Sequence, residues 1–223
     1  MTLYFDNDSE CAVCGESSTQ PGLLSTNATG SSDLDGRPSE MVRSTMDCWI
    51  ERCPGCGYCS TDIGESKSGL EKIIQTPEYR DILERDDIPE LAASFLASSY
   101  LYNLDKEYAR AARMAHYASW VLDDFDASVE STNARIKTIA LIQLADEHGQ
   151  EFSASREESI LITVDLMRRS RLFNQAEAFI ENTSPECSDD SIQELIRYER
   201  QLIADRDSAV HTLFQATSGG FKE

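Results

Sequence analysis

Two cysteine motifs of the same form, Cys-x-x-Cys-Gly, occupy residues 11–15 and 53–57. Two cysteines spaced by two residues can direct both sulfurs toward one ion, and the following glycine accepts the positive φ that turns backbone N–H groups toward the thiolates. Together the motifs supply the four thiolates of a structural zinc site. The predicted ligands are Cys11, Cys14, Cys53 and Cys56. The sequence therefore predicts one bound Zn²⁺ ion, because four thiolates suit zinc; iron is the less favoured alternative, which stays open because a rubredoxin-like site also uses two such motifs.

The second motif allows another interpretation, because Cys56 and Cys59 form a Cys-Gly-Tyr-Cys pair that resembles a dithiol redox motif. The equivalence of the two Cys-x-x-Cys-Gly motifs favours assigning Cys56 to the metal, and a thiolate bound to zinc is not a free nucleophile. Cys59 is then an extra thiol on the strand that leaves the motif. Cys48 could replace a ligand, although burial as a small hydrophobe is its commoner fate. A thiol redox protein that uses Cys56 and Cys59 stays an alternative.

The predicted metal site is structural and not hydrolytic, because four cysteine ligands leave no coordination position for water. Elsewhere the residues that commonly carry catalysis are scattered. His116 falls within a helical segment and is predicted to be a packing or surface residue, and Cys187 lies in a polar turn with no base nearby in sequence. Neither a glycine-rich phosphate loop nor a Gly-x-Ser-x-Gly elbow is present. The sequence leans against an enzyme without deciding the question.

The stretch between the two motifs places Arg37 and Arg43 close to Asp33 and Asp35. Two interpretations are open. In the first, the stretch is a ligand-contacting loop whose arginines receive an anion. In the second, which we favour because acidic partners are abundant, the arginines pair with the aspartates and stiffen a loop that lacks its own core. The end of the stretch, residues 46–52, alternates in a way that predicts a strand leading into the second motif.

The chain is strongly acidic, with 40 acidic and 20 basic residues and a net charge of −20. Nucleic-acid affinity rests largely on cationic contacts to phosphates, so this balance disfavours nucleic acids and anionic membranes. Residues 1–65 hold eleven acidic and three basic residues and share this character, although a zinc ribbon associated with nucleic acid is kept as an alternative. The acidic surface instead predicts a protein partner with a basic segment.

The amino-terminal residues lack a positively charged region followed by an apolar run, and no stretch approaches the roughly 18 apolar residues of a membrane span. We therefore expect no secretory signal, no membrane segment and a cytoplasmic location. In the reducing cytoplasm, the seven cysteines are expected to be metal ligands or core residues. Their odd number also argues against a fully paired disulfide framework.

Composition changes near residue 65. Six of the seven cysteines precede this point, and helical periodicity dominates after it. Three capping signals mark predicted helix starts: Ser68-Gly-Leu-Glu71, Thr76-Pro77 and Ser155-Arg-Glu-Glu158. The sequence predicts an α+β protein in which a small zinc-ribbon-like metal-binding module, residues 1–65, precedes an all-α, tetratricopeptide-like helical domain, residues 66–223.

One pair of predicted helices carries the repeat signal. Small and aromatic residues there lie close to the packing positions of a tetratricopeptide repeat: Phe95, Ser99, Tyr102, Tyr108, Ala111, Ala115 and Ala118. A second stretch, residues 172–180, places Ala176 in the small position. The usual tryptophan and helix-ending proline are missing, and the separation of Ala111 from Ala176 does not match the repeat length of about 34 residues. The region is therefore predicted to be repeat-like.

The two motifs, the segments DLDGRP and MVRSTM between them, and the helical remainder resemble a group of uncharacterised prokaryotic proteins known as domain of unknown function 2225. The resemblance is strongest over residues 11–63, where WIERCPGCGY matches the family's pattern of a strand that leads into a zinc knuckle. It implies an N-terminal zinc-knuckle module coupled to tetratricopeptide-like helices, with Cys11, Cys14, Cys53 and Cys56 as ligands. It implies no established activity.

These observations lead to one expected function. We expect a cytoplasmic scaffold or adaptor protein that is stabilised by one structural zinc ion and binds a protein partner through its helical domain. A thiol redox protein and a nucleic-acid-associated zinc ribbon are the alternatives. The sequence leaves the partner, the pathway and the oligomeric state open.

Overall fold

The structure of the chain, a computed structural model, describes residues 1–183, 187 and 189–217. Two small antiparallel sheets lie in the amino-terminal part, and helices make up most of the rest of the described chain. The predicted combination of a small β-containing part and a helical part is confirmed at this level. The boundary at residue 65 and the tetratricopeptide character stay predictions.

Each sheet is a single hairpin. The strands are β1 (Leu3–Glu10), β2 (Ser17–Ser25), β3 (Glu51–Arg52) and β4 (Cys59–Ser60). One Cys-x-x-Cys-Gly motif lies in the loop of each hairpin. Glu10 pairs with Ser17 and Arg52 pairs with Cys59, so the two loops span the same number of residues. The hairpins therefore present the two motifs in the same way.

The helices of the described chain follow in order. They are α1 (Leu70–Ile73), α2 (Pro77–Leu83), α3 (Glu90–Leu104), α4 (Tyr108–Asp124), α5 (Ser128–Glu147), α6 (Arg156–Arg169), α7 (Phe173–Thr183), α8 (Asp190–Ala204) and α9 (Leu213–Thr217). None of these helices combines the length and the apolar character that crossing a membrane requires.

The predicted strand over residues 46–52 is wrong for most of its length. Residues Arg43–Cys48 form a short 3-10 helix, and strand β3 begins at Glu51. Met46 and Ile50 are buried beside Trp49, against α3 and α4. Apolar residues spaced by three and four positions share one face of a helical turn. Met46 lies in the 3-10 helix, and Trp49 and Ile50 follow it directly, so this turn brings all three side chains against the same two helices.

Two of the three predicted helix starts are confirmed. Thr76 caps α2 by accepting a hydrogen bond from the backbone N–H of Tyr79 at 3.4 Å. Ser155 caps α6 by accepting from the N–H of Glu158 at 3.0 Å. These bonds satisfy N–H groups that the first helical turn leaves without partners.

The predicted capping box at Ser68 is wrong. Helix α1 begins after Gly69, which has a φ of 92° and makes no side-chain cap. The N–H of Gly69 donates instead to the carboxylate of Glu71 at 3.1 Å. A positive φ suits glycine because it has no Cβ, so the chain enters α1 through a left-handed residue and not through a serine cap.

The same turn ends four helices of the described chain. The residue after the C-cap is left-handed, with φ between 53° and 60°, at Lys106, Asp126, Arg171 and Arg206. The next N–H donates to a carbonyl five residues back, as Glu107 does to Tyr102 and Leu172 does to Met167, each at 2.9 Å. Glycine usually occupies the left-handed position, as Gly149 does after α5. The repeated turn therefore forms here with four non-glycine residues.

Helices α3, α4 and α5 are neighbours along the chain, joined by turns of three residues. Ala111, Ala115 and Ala118 of α4 are fully buried, and they are the small residues that the sequence places at close helix contacts. Their short side chains let adjacent helices approach closely. The alanine pattern thus correctly located a buried face of α4.

Candidate metal centre

The four predicted cysteine sulfurs lie together in the loops of the two hairpins. All four Sγ atoms are within 4.8 Å of one another. The sulfur of Cys11 is 3.7 Å from that of Cys56, and the sulfur of Cys14 is 3.6 Å from that of Cys53. Cys14 is exposed, and the other three are buried. A group of four thiolates in this arrangement could hold one metal ion.

The two hairpin loops have the same backbone conformation. Gly15 and Gly57 adopt φ values of 76° and 77°, the left-handed conformation predicted for the residue after each cysteine pair. The N–H of each glycine donates to the carbonyl of the first cysteine in its motif, at 2.7 Å for Cys11 and 2.9 Å for Cys53. The loops are therefore two copies of one local structure, which together surround the sulfurs.

Burial and backbone N–H groups act in opposite directions on these thiols. Burial raises the pKa of Cys53, but the N–H groups of Cys56 and Gly55 and the neighbouring sulfurs together outweigh burial, so this pKa lies below its ordinary value. For Cys11, burial outweighs the backbone N–H contacts, and the pKa is raised. A bound cation lowers the pKa of a coordinating thiol, because the thiolate is the ligand. The N–H groups around the cluster support that ionised form.

Helix α2 supports the loop of the second hairpin. The hydroxyl of Tyr79, which is fully buried, donates to the carbonyl of Gly57 at 2.9 Å and accepts from the N–H of Cys59 at 3.1 Å. Gly57 also lies tight against α2, because an added Cβ would be 3.0 Å from the side chain of Leu83. The position and orientation of this loop are therefore set by the helical part of the chain.

The first hairpin is attached through the segment around β3 and β4. The N–H of Ala12 donates to the carbonyl of Ile63 at 2.8 Å, and the N–H of Ile63 donates to the carboxylate of Glu51 at 2.9 Å. The side chain of Gln20 donates to the carbonyl of Arg52 at 3.3 Å. These bonds hold the two hairpins side by side independently of the sulfurs.

The other three cysteines lie apart from the four-sulfur cluster. Cys59 is buried, and burial raises the pKa of its thiol to about 11. A thiol that stays protonated near neutral pH attacks poorly, which disfavours a redox pair with Cys56. Burial and the charge of Asp47 raise the pKa of Cys48 to about 11. Cys187 is buried in the main hydrophobic core.

The arginines between the two motifs form ion pairs, with partners that differ in part from the predicted ones. Arg43 pairs with Asp33 at 2.6 Å, as expected. The guanidinium of Arg37 pairs instead with Asp124 at the end of α4. The backbone N–H of Arg37 donates to the carboxylate of Asp35 at 3.1 Å. The loop is thus tied to the helices as well as to itself.

Asp35 is fully buried and lies at the centre of a polar network. Its carboxylate accepts hydrogen bonds from the indole of Trp120 and the guanidinium of Arg169, both at 2.8 Å. The ring of His116 lies 3.5 Å away. Burial raises the pKa of this carboxyl, but His116 and Arg169 together outweigh burial, so the pKa lies well below its usual range. Arg169 also pairs with Asp123 at 2.5 Å, which connects the loop to α4 and α6.

The imidazole of His116 is a buried packing group. Its ring lies between those of Trp120 and Phe152, with centroid distances of 4.6 Å and 6.1 Å. This position confirms the prediction that His116 is a packing or surface residue.

A second buried ionic cluster lies between α6 and α8. Arg168 is fully enclosed and pairs with Asp165 at 2.5 Å and with Glu199 at 2.7 Å. It also donates to the carbonyls of Asp207 and Ala209. Burial and the charge of Asp165 raise the pKa of Glu199 well above its ordinary value. The cluster lies between helices, and no local sequence pattern predicts it because Glu199 is distant from Asp165 and Arg168 along the chain.

Comparisons with known protein families, with curated proteins and with solved structures find no match for this chain. The resemblance to domain of unknown function 2225 therefore stays a prediction. In the described residues, two matching hairpin loops carry a four-cysteine cluster. This cluster packs against the helices that follow it in the chain.

Proposed function

We propose that the chain is a cytoplasmic scaffold or adaptor protein with one structural Zn²⁺ ion. In this proposal the ion holds the two hairpin loops together, and tetratricopeptide-like helices bind a partner protein that carries a basic segment. One observation carries the proposal. The cysteine cluster is part of a hydrophobic core that it shares with Tyr79 and Leu83 of α2 and with Leu101 of α3. A metal ion in that position would stabilise the fold that presents the helices.

The sulfur positions fit a tetrahedral ion. With Zn–S bonds of about 2.3 Å, the sulfurs of a regular tetrahedron are about 3.8 Å apart. Two of the sulfur pairs, Cys11 with Cys56 and Cys14 with Cys53, are 3.7 Å and 3.6 Å apart. Four thiolates would complete the coordination and leave no position for a substrate, which supports a structural role. Four thiolate ligands suit zinc, and iron is the less favoured metal.

The helices and the net charge of the chain support the proposal of a protein partner. Stacked helical repeats form concave surfaces suited to binding peptides. The buried alanines of α4 are consistent with such stacking. A net charge of −20 attracts basic segments. That attraction acts over about 30 Å at 0.01 M salt and over only about 3 Å at 1 M salt.

Capture from a cytoplasmic extract at these two salt concentrations tests the proposal. The full-length zinc-loaded chain serves as bait beside Cys53→Ser, which removes a ligand, and Cys48→Ser, which removes a thiol outside the cluster. We expect a specific protein with a basic segment to be retained at low salt by the unmodified chain and by Cys48→Ser. High salt should release it, and Cys53→Ser should not retain it. No retention at low salt would contradict the proposal.

A further inference from the structure

A groove crosses the junction between the 3-10 helix near the second hairpin and helices α3 and α4. Its volume is about 290 Å³. Beside Thr61, six larger side chains line it: Trp49, Tyr102, Arg110, Arg113, Met114 and Tyr117. The last four are spaced by three and four positions along α4, so they share one face of that helix. We call this feature the arginine groove.

The arginine groove is cationic in a strongly acidic chain. Among the described residues that line it, two are arginines and none is a carboxylate. Arg110 pairs with Glu107 at 2.9 Å, which balances its charge. Arg113 donates from Nη1 to the carbonyl of Phe152 at 2.7 Å, and it forms no ion pair within the part of the chain that the structure describes. The charge of Arg113 is therefore open to an incoming anion.

Aromatic rings give the arginine groove a fixed apolar surface. The rings of Trp49 and Tyr117 meet edge to face, with centroids 5.2 Å apart. The guanidinium of Arg110 lies over the ring of Tyr102 at 4.4 Å. Tyrosine, tryptophan, methionine and arginine are enriched at protein interfaces, and rigid rings lose little conformational entropy on binding. The composition of the groove is that of a protein-binding surface.

We propose that the arginine groove binds an extended segment of a partner protein. A carboxylate of that segment contacts Arg113, and an adjacent apolar or aromatic side chain packs against Trp49 and Tyr117. The inference relies on the proposed function for the existence of a partner, and it adds the site and its chemistry. A guanidinium can bind a carboxylate through two parallel N–H···O bonds, and the bond from Nη1 to Phe152 leaves the other edge of Arg113 for that purpose.

The charges around the arginine groove limit what can occupy it. A nucleic acid presents many phosphates, which need several cations, and 40 acidic residues in the chain oppose it. A segment with one carboxylate among neutral or basic residues complements both Arg113 and the acidic surface of the chain. The occupant is thus a mainly neutral or basic peptide segment with a single acidic anchor.

Three sets of fluorescein-labelled short peptides test this inference on the full-length zinc-loaded chain. The first set carries one glutamate beside a phenylalanine or leucine, with serine, glycine and lysine elsewhere. The second has glutamine in place of the glutamate, and the third has lysine there. Fluorescence anisotropy measures affinity, and the indole N–H resonance of Trp49 reports binding in the groove. Backbone amide resonances of α8, which lines no part of the groove, serve as the reference.

Three variants complete the design. Arg113→Gln removes the charge, and Arg113→Lys keeps the charge without the planar fork. Arg200→Gln removes the same charge on α8, where Arg200 is half-exposed. Zinc content and circular dichroism establish that each variant is folded. If Arg113→Gln is not folded, the comparison of Arg113→Lys with the unmodified chain decides the outcome, because weaker glutamate binding by Arg113→Lys is expected.

We expect the glutamate set to bind at least about tenfold more tightly than the glutamine set, which corresponds to about 1.4 kcal/mol, and to shift the Trp49 resonance. Arg113→Gln should abolish this preference and Arg200→Gln should keep it. Equal binding of the two sets, or an unchanged preference in either folded Arg113 variant, would overturn the inference. Binding of the lysine set alone would overturn it while leaving the proposed basic partner in place. If the peptides bind in the arginine groove but no partner protein is captured from the extract, the proposed function is rejected and the inference about the groove stands.

Discussion

The hydroxyl group of Tyr79 donates a 2.9 Å hydrogen bond to the carbonyl of Gly57, the glycine that follows the second cysteine pair. The same oxygen accepts a hydrogen bond from the backbone N–H of Cys59. One side chain of α2 therefore satisfies a buried acceptor and a buried donor where the loop ends and β4 begins. This contact connects the cysteine cluster to the helices.

Removing this hydroxyl should weaken the cysteine-bearing loop. Tyr79→Phe leaves the buried N–H of Cys59 without its partner and leaves the carbonyl of Gly57 with only the thiol of Cys59 at 3.4 Å, which costs about 1–3 kcal/mol. We expect the free energy of unfolding, measured by denaturant titration, to fall by that amount. We also expect zinc transfer to a colorimetric chelator to be faster. Tyr100→Phe is the matched control, because its ring lies beside that of Tyr79 and its hydroxyl makes no hydrogen bond to the described residues. Equal effects of the two substitutions would count against this assignment.

Replacing the buried carboxylate of Asp35 should lower the free energy of unfolding more than replacing a half-exposed carboxylate does. Asp35→Asn removes one of the two carboxylates that pair with the guanidinium of Arg169 and leaves Asp123 as the other, so the loss should be about 1–3 kcal/mol. Glu177→Gln breaks an ion pair with Arg200 in which both side chains are half-exposed, and it should cost less than about 1 kcal/mol. Chemical denaturation at pH 7 measures both. Similar small losses would show that the network around Asp35 does not hold the loop.

The loss of unfolding free energy caused by Asp35→Asn should also depend on pH. The pKa of Asp35 in the folded chain lies below its usual range, so the unfolded chain binds a proton first as the pH falls. The stabilisation is complete above the unfolded pKa of about 3.9 and is lost as the pH falls toward the folded pKa. The difference between the unmodified chain and Asp35→Asn should be constant from about pH 5 to pH 8 and smaller below about pH 4. A constant difference down to pH 2 would contradict this.

Lys137 on α5 predicts an effect at alkaline pH. Burial lowers its pKa to about 8, whereas the pKa in the unfolded chain is about 10.4. Between these two pKa values the unfolded chain binds more protons than the folded chain, so this residue makes the free energy of unfolding rise with pH. Below about pH 8 the destabilisation caused by burying the charged amine is fully present. Lys137→Met should be more stable than the unmodified chain at pH 7, with a smaller difference at pH 10. Lys72→Met, at an exposed position, should differ in stability from the unmodified chain by the same amount at pH 7 and pH 10. Thermal unfolding at the two pH values measures both variants.

The left-handed turn after α6 predicts a stabilising substitution. Arg171 is exposed and has a φ of 60°, which glycine adopts without the steric cost of a Cβ. Arg171→Gly should raise the free energy of unfolding by about 0.5–1 kcal/mol. Arg197→Gly, at an exposed position in the middle of α8, should lower it by about 1 kcal/mol. A loss of stability in Arg171→Gly would show that its side chain contributes more than the turn geometry costs.

The parts of the fold that depend on nearby residues were predictable from the sequence. The equivalence of the two Cys-x-x-Cys-Gly motifs selected the four cysteines whose sulfurs lie together, and the left-handed glycines followed from the same local pattern. The caps at Thr76 and Ser155 also depend on residues within one turn. The left-handed turns at Lys106 and Arg171 were missed, because no glycine marks these positions in the sequence.

The parts that depend on distant residues were not predictable. Asp35 binds Trp120 and Arg169, which are far from it in sequence, and no local pattern selects these partners over Arg37 or Arg43. The arginine groove likewise requires α4 to pack beside Trp49. The strand predicted over residues 46–52 was wrong for the same reason, since burial against α3 and α4 outweighed local alternation.

The central claim is that four cysteines hold one structural zinc ion. Elemental analysis combined with X-ray absorption at the zinc edge tests it most directly, on the full-length chain and on Cys53→Ser and Cys48→Ser. We expect one zinc per chain with four sulfur ligands at about 2.3 Å, loss of the ion in Cys53→Ser and its retention in Cys48→Ser. A chain that folds without bound metal, or a zinc ion that survives Cys53→Ser with its ligands unchanged, would contradict it.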